Sequence, residues 1–520
     1  MRLRHRNVSA IVGQERFALT FQPEASVELR LRPEKSAQLL GESALRSQLE
    51  DKRMSDKEYD LAVIGGGPGG YTAAIAASSK YGLSTVLIEK ENIGGTCLGH
   101  GCIPTKTYLS AADEVQMIKN GNKLGVMVNE ADVRIDMAKL HAYKNEVVGK
   151  LQDGIMQALT HAKVDYVSGT ASIRSNMAID VKTGSGSELI KTSKILIATG
   201  SEPCKLPIKG VDLPHVYNSN EMLEMTELMS PLVIIGGGVI GLEFASMYSA
   251  LGTQVVVLEA MDRILSNMDR DLAVNLKQIL SKRSVEFHTG AEVSEISKAG
   301  FRATTALEVK FKDKKTETET TVPAQAVLVA VGRKASTEDL FDKNCIPTIP
   351  SMERGRIIVN DRYETDVPGI FAIGDVTGGI QLAHMASAEG LNAVAAIAGK
   401  EQLPIRTDVV PACVFTDPEI ASVGLTADEA KKAGIAVKSI KYVTGANGKS
   451  VLTGQERGFI RILTESETGK VLGAQMMCAR ASDMIGEFSS AIVNGLTVDQ
   501  ISMAIRPHPT FNEMIWEMTR

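Results

Sequence analysis

No apolar run in this sequence approaches the roughly 18 residues that a helical membrane crossing needs. The best candidate, Pro231 to Leu242, is rich in glycine and stops at Glu243. A basic stripe is also lacking. The 57 basic and 62 acidic side chains are mixed along the chain, for a net charge of −5, which excludes a nucleic-acid surface built on charge. Cysteine is scarce, six in 520 residues, as fits a reducing compartment, so a soluble cytoplasmic protein is expected. Four of the six, Cys204, Cys345, Cys413 and Cys478, stand singly, so no second pair completes a zinc site and no metal is expected. The length leaves room for about three or four domains.

The remaining two cysteines lie in one segment, Gly94-Gly95-Thr96-Cys97-Leu98-Gly99-His100-Gly101-Cys102-Ile103-Pro104-Thr105-Lys106. A Cys pair at this spacing can be a disulfide, half of a metal site, or coincidence. A straight helix would hold the two Cα atoms roughly 7.5 Å apart, beyond the ~4.4–6.8 Å of a bridge. Gly99 and Gly101 can supply the bend that closes this gap. A closable pair in a chain otherwise poor in disulfide candidates suggests redox chemistry rather than stapling.

Upstream, Tyr59-Asp60-Leu61-Ala62-Val63-Ile64 reads as a buried strand leading into Gly65-Gly66-Gly67-Pro68-Gly69-Gly70. Ala73 to Ala77 then reads as a helix of small residues able to pack closely. A second strand, Thr85 to Ile88, ends in Glu89, about 20 residues past the glycines, where a dinucleotide fold places its ribose-binding acid. Gly65, Gly67 and Gly70 permit the tight turn and let backbone N–H groups approach a pyrophosphate at the helix N-terminus. The pattern recurs: strand Leu232 to Ile235, then Gly236, Gly238 and Gly241, a helix from Leu242 to Leu251, and a strand Gln254 to Leu258 ending in Glu259. Two complete sites suggest two dinucleotides; the bland alternative is that one is vestigial. Glu259 would bind a ribose 2′-hydroxyl and repel a 2′-phosphate, so NAD is favoured over NADP at the second site.

From about Tyr59 to Trp516 the chain resembles the flavin-dependent pyridine nucleotide-disulfide oxidoreductases, on the strength of the first glycine fingerprint followed at this distance by Cys-x4-Cys. The match is to members that oxidise dihydrolipoamide. The resemblance implies an α/β protein with two Rossmann-like domains, for FAD and for NAD, and a C-terminal α+β dimerisation domain. Its boundaries here are 55–203 and 336–403 for the flavin domain, 204–335 for the NAD domain and 404–520 for dimerisation. By position in the motif, Cys97 is the interchange thiol and Cys102 the one nearer the flavin, forming a charge-transfer thiolate. Gly95, Thr96, Lys106, Gly200 and Asp375 join Gly65, Gly67, Gly70 and Glu89 on the FAD side. Glu243 and Gly332 join Gly236, Gly238, Gly241 and Glu259 on the NAD side, and in the family the acid matching Glu243 pairs with the lysine matching Lys106. Read alone, Asp375 would be a Gly-Asp turn after a strand and Lys106 a surface charge. His384 and Glu389 are expected to serve packing or surface.

The chain closes on Arg506-Pro507-His508-Pro509-Thr510-Phe511-Asn512-Glu513. Two prolines hold His508 with little entropy loss, and Glu513 can bond one ring nitrogen and leave the other free, as a base with its orienting acid. His-Pro-Thr-x-x-Glu is the family's second signature, which implies that His508 serves the disulfide of the other subunit of a homodimer. The implied reaction is oxidation of protein-bound dihydrolipoamide with NAD. Its partner would be a lipoyl-bearing acyltransferase or the glycine cleavage carrier protein. The alternative is an NAD(P)H-dependent reductase of another low-molecular-weight disulfide. His100 and Thr105 depart from the family's more usual Asn and Ser, and Arg506-Pro507 from a His-Ala. Arg333 and Lys334 give no readable docking code.

Residues 1–54 stand apart. Arg2, Arg4 and Arg6 suggest a targeting peptide, but seven acids between Glu15 and Asp51 argue against one. The expectation is an upstream or mis-assigned start, poorly ordered, with Met54 as a plausible natural beginning.

Overall fold

Leu61-Ala62-Val63-Ile64 is apolar at every position, and a strand with no polar face must be covered on both sides. In the computed structural model, which describes residues 57–129, 132–300, 303–346 and 348–520, it is the middle strand of five. All five are parallel, in the order Ile370–Ala372, Ile195–Ile197, Leu61–Ile64, Thr85–Glu89, Asp165–Ser168. The expectations for the N-terminal extension lie outside the described residues. Tyr59, expected to begin the central strand, belongs instead to a short strand Glu58–Tyr59 that pairs with Gly186–Thr192 in a four-stranded side sheet. The helix of small residues runs Pro68–Tyr81 and buries Ala73, Ala74 and Ala77 against a helix that returns far later, Ala383–Ile397.

The duplicate has the same build. Val216–Asn218, Ala326–Val329, Leu232–Ile235, Val255–Glu259 and Val285–Thr289 form a second five-stranded parallel sheet in that order. The two sheets are joined by paired connectors: the outgoing Ser201–Pro203 lies antiparallel to the returning Arg333–Ala335. The first sheet is therefore completed only after the second has been built. Two long helices follow the cysteines, Cys102–Asn120 and Met137–His161, the first running into a turn at Gly121–Leu124.

The C-terminal part is an antiparallel sheet in the order Ala412–Val414, Ile420–Gly424, Val471–Met477, Phe459–Glu465, Val437–Val443, with helix Ala481–Val493 on one face. The alternation read at Gly458 to Leu463 predicts a half-buried strand, and here the structure differs. Phe459, Ile460, Ile462 and Leu463 are all buried. Ile460 and Ile462 face the helix side, whereas Phe459 joins the core that holds Leu272 and Leu276 of helix Arg270–Ser281. The sheet is thus sandwiched against the second nucleotide-binding unit. Ion pairs fix that helix at both ends, Arg461 to Asp269 at 3.1 Å and Arg283 to Asp417 at 2.7 Å. No helix among the described residues is long and apolar enough to cross a membrane.

Candidate active site

Three glycines in each turn do two different jobs. A Cβ on Gly65 would sit 2.3 Å from the Ala198 carbonyl oxygen, and one on Gly70 1.8 Å from that of Gly65. In the second turn, Gly236 would meet the Ala330 carbonyl oxygen at 2.3 Å and Gly241 that of Gly236 at 2.1 Å. These four are required by packing. Gly67 and Gly238, each the residue preceding its helix, face open space, with nothing within 4 Å of where a methyl group would stand. Neither helix start has a side-chain cap, so its free N–H groups and the positive end of its dipole address that space. This is a cradle that a pyrophosphate fits. The acids repeat to the hydrogen bond. Glu89 accepts from Gly66 N at 2.6 Å and Glu91 N at 2.8 Å; Glu259 accepts from Gly237 N at 2.5 Å and Met261 N at 2.7 Å. Each carboxylate keeps lone pairs for a ribose hydroxyl.

The cysteines close over the first turn. Gly95 lies against Gly67, its φ of +55° and a Cβ position 2.7 Å from Gly67 Cα requiring glycine. A short helix Gly95–Gly99 ends at His100, and a second begins at Cys102. The bend is at Gly101, whose Cβ would lie 2.8 Å from the Thr96 carbonyl oxygen, while Gly99 simply ends the short helix. Cys97 and Cys102 stand as thiols in hydrogen-bond contact. That bond pushes Cys97 up and pulls Cys102 down to about 7; burial opposes the latter and the Lys106 charge assists it. Cys102 is the more exposed of the two. His100 Nε2 is 3.2 Å from Glu91 Oε2, which raises the histidine's pKa, and Thr105 is buried.

Lys106, one turn along from Cys102, meets both oxygens of Glu243 at 3.0 and 2.8 Å and lies 4.4 Å from the centre of the Phe415 ring. Glu243 is buried and also accepts from Phe415 N at 3.0 Å. Since Glu243 is on helix Val239–Ala250, which opens from the second glycine turn, this pair ties the redox segment to the second nucleotide-binding unit. Gly200 and Gly332 end the strands beside the two turns, at φ +70° and +115° with open space around them.

Asp375 follows strand Ile370–Ala372, and its Oδ2 accepts from Ser201 Oγ at 2.5 Å. Glu389 is buried and accepts from Gly374 N at 2.6 Å, so it shapes the Gly-Asp turn; His384 Nε2 is 2.9 Å from the Pro411 carbonyl oxygen. Arg333 is the residue that sequence reasoning missed. Its guanidinium donates to Ser201 Oγ at 2.8 Å, to the Ser201 carbonyl at 2.6 Å and to Thr96 Oγ1 at 3.3 Å. The one available signal was that Gly332-Arg333 and Gly200-Ser201 end equivalent strands of the two repeats.

His508 Nδ1 is 2.9 Å from Glu513 Oε1, and Glu513 Oε2 accepts from Thr510 N at 2.9 Å. These bonds, the Thr510 one foremost, hold Glu513 below the usual glutamate range. His508 is 79% exposed, and among the described residues no hydrogen bond or ion pair joins it to the cysteines of its own chain. Arg506 points inward, to Glu487 and to the carbonyls of Ile501 (3.3 Å) and Ala504 (2.7 Å).

Residues 59–390 match the family model for pyridine nucleotide-disulphide oxidoreductases, and residues 410–519 the dimerisation domain of the same family. A dihydrolipoyl dehydrogenase of Bacillus subtilis is 39% identical over 469 residues, which cover 88% of this chain and 97% of the relative. One of Mycoplasma pneumoniae is 36% identical, with 89% and 98% covered. Among solved structures, LpdA of Mycobacterium tuberculosis superposes with a TM-score of 0.80 at 25% identity, over 88% of this chain and 98% of its own. A HOCl-induced flavoprotein disulfide reductase, RclA of Escherichia coli, solved as its Cu(II) complex, gives 0.78 at 29%, over 89% and 99%.

Proposed function

The chain belongs to the pyridine nucleotide-disulphide oxidoreductase family, and from that premise we propose that it oxidises protein-bound dihydrolipoamide to lipoamide and reduces NAD+ to NADH. The supporting observation is the thiol pair, with Cys102 drawn down to about 7 beside Lys106, set over the first glycine turn and tied by Lys106 to the helix that opens from the second. Residues 55–203 and 336–403 are assigned to FAD, 204–335 to NAD and 404–520 to the homodimer contact. The turn at Gly65, Gly67 and Gly70, with Glu89 and Asp375, would hold FAD, which when bound would supply two-electron transfer between the thiol pair and the nicotinamide.

The reaction starts from the oxidised protein, in which the two thiols seen here would be joined as the Cys97–Cys102 disulfide. His508 of the partner subunit, oriented by Glu513, takes a proton from the incoming dithiol, since only thiolate attacks a disulfide. That thiolate bonds to Cys97 sulfur and the bridge breaks, with Cys102 leaving as a thiolate stabilised by Lys106. The second substrate thiol loses its proton and attacks the first substrate sulfur. Lipoamide departs, and Cys97 takes up a proton. Re-forming the Cys97–Cys102 bond would give up two electrons and the two protons taken from the substrate, of which NAD+ would take both electrons and one proton, the other being released. Glu259 selects NAD, its carboxylate opposing a 2′-phosphate. The carrier of the substrate is a lipoyl-bearing acyltransferase or a glycine cleavage carrier protein.

The test is NADH formation from dihydrolipoamide, run beside NADP+ and beside oxidised glutathione with NADPH. A rate with NAD+ at least about tenfold above that with NADP+ is expected from the acid at the ribose position. The likeness to RclA supports a second reading, reduction of another low-molecular-weight disulfide. Turnover of NADPH with such a disulfide, and none with dihydrolipoamide, would replace the first reading by it.

A further inference from the structure

We propose that Arg333 is a positioning residue for the redox pair: it ties the cysteine segment at Thr96 to Ser201, and through Ser201 to Asp375, and its charge favours the Cys102 thiolate. The proposal rests on the function proposed above and adds a residue to it.

Arg333 opens the returning connector strand, opposite Pro203 of the outgoing one. Its neighbour Lys334 takes an exposed ion pair with Glu202 at 2.8 Å, the ordinary partner for a charge on a two-stranded ribbon. Arg333 instead turns inward. It directs Nε and Nη2 to the hydroxyl and carbonyl of Ser201, and the same Nη2 reaches Thr96 Oγ1, one residue from Cys97. Ser201 relays the contact, donating its only hydroxyl proton to Asp375. A planar five-donor fork spans three segments in this way, whereas an ammonium on a flexible stem would not hold the same geometry.

The groups that face the guanidinium are Asp375, Cys102, Cys204 and Glu202. Burial pulls its pKa down, and these partners pull the other way. Around Cys102 itself stand Cys97, Lys106 and Glu243. Lys106 is shared with Glu243, so its charge is divided between that carboxylate and the thiolate. Arg333 has no carboxylate within hydrogen-bond range among the described residues, so Asp375 and the thiolate are both served by a charge that no single acid cancels. Connector, flavin-side acid and thiol pair therefore move as one unit.

The experiment uses holoenzyme reduced by two electrons, with the thiolate-to-flavin charge-transfer absorbance followed against pH. Arg333→Met, Arg333→Lys and the parent are compared. In Arg333→Met the pH midpoint at which the band is lost should rise by less than removal of Lys106 causes, corresponding to an about threefold weaker proton dissociation. Arg333→Lys should hold most of the parent's midpoint but lose band intensity, since charge returns without the fork. If Arg333→Met fails to retain flavin, Ser201→Ala cuts the relay to Asp375 and should broaden and weaken the band without moving its midpoint. A parent-like midpoint in Arg333→Met, or a parent-like band in both Arg333→Lys and Ser201→Ala, would overturn the proposal. A parent that shows no band at all would instead overturn the proposed function on which it rests.

Discussion

Cys102 is the first residue of its helix and Lys106 lies one turn further on, so the helix start and the ammonium address the same sulfur. Removal of Lys106 isolates its share of the effect. In reduced protein, alkylation of Cys102, identified by peptide mass, should be half-maximal near the about 7 at which that thiol titrates, and rise with pH above it. In Lys106→Met the curve should move to higher pH by about one unit, because the anion has lost a nearby opposite charge. An unmoved curve would mean that Lys106 has no share in it. Such residues differ in how far they can be read without coordinates. Glu89 and Glu259 are legible because each lies at a fixed distance from a glycine turn on the same two strands. The Lys106–Glu243 pair spans 137 positions, and only the resemblance pointed to it. Arg333 was marked only by its place in the repeat: its role depends on the register of two connector strands that lie 132 residues apart and on a serine hydroxyl whose direction no spacing encodes.

Among elements, the two strand–turn–helix units carry the clearest internal control. Gly238 and Gly241 are three residues apart in one turn, yet a methyl group at the first meets nothing and at the second strikes a backbone oxygen at 2.1 Å. Gly241→Ala should therefore cost about 2 kcal/mol or more and lower the thermal midpoint, since backbone cannot yield as a side-chain end can. Gly238→Ala should leave the thermal midpoint and flavin content unchanged and raise KM for NAD+ by about tenfold, the methyl now standing where the pyrophosphate approaches. Calorimetry beside steady-state kinetics checks both; equal effects in the two variants would mean that the open space at Gly238 is not the nucleotide's. Strand, turn and helix were legible here because apolar runs and glycines are local signals. The strand Phe459–Glu465 was misjudged for the opposite reason. Its alternation told of one covered face, and the cover on the second comes from a helix nearly two hundred residues earlier, held there by Arg461 on Asp269.

At the scale of the whole molecule, one chain carries both halves of the chemistry but does not join them. The thiol pair lies beside the first glycine turn and is tied by Lys106 to the helix that opens from the second, and His508 stands 79% exposed at the far end of the sequence, bonded to Glu513, which Thr510 holds, and among the described residues to neither cysteine. A histidine that is pre-oriented and left facing solvent would be complete as the proposed base only if a second copy brought it a substrate thiol, and the match of residues 410–519 to a dimerisation domain supplies that copy. Mixing two inactive variants decides the point. Cys97→Ser keeps the base and loses the interchange thiol; His508→Gln keeps the thiols and loses the base. Denatured together at equal amounts and refolded with FAD, half of the dimers pair one chain of each kind, and in a two-fold dimer with the base in trans one of their two sites is intact, so about a quarter of the parent's activity should return. If each chain used its own His508, every site in the mixture would lack one group and no activity would appear. The same refolded sample, separated by tags on the two variants, should show that activity in the mixed dimer alone.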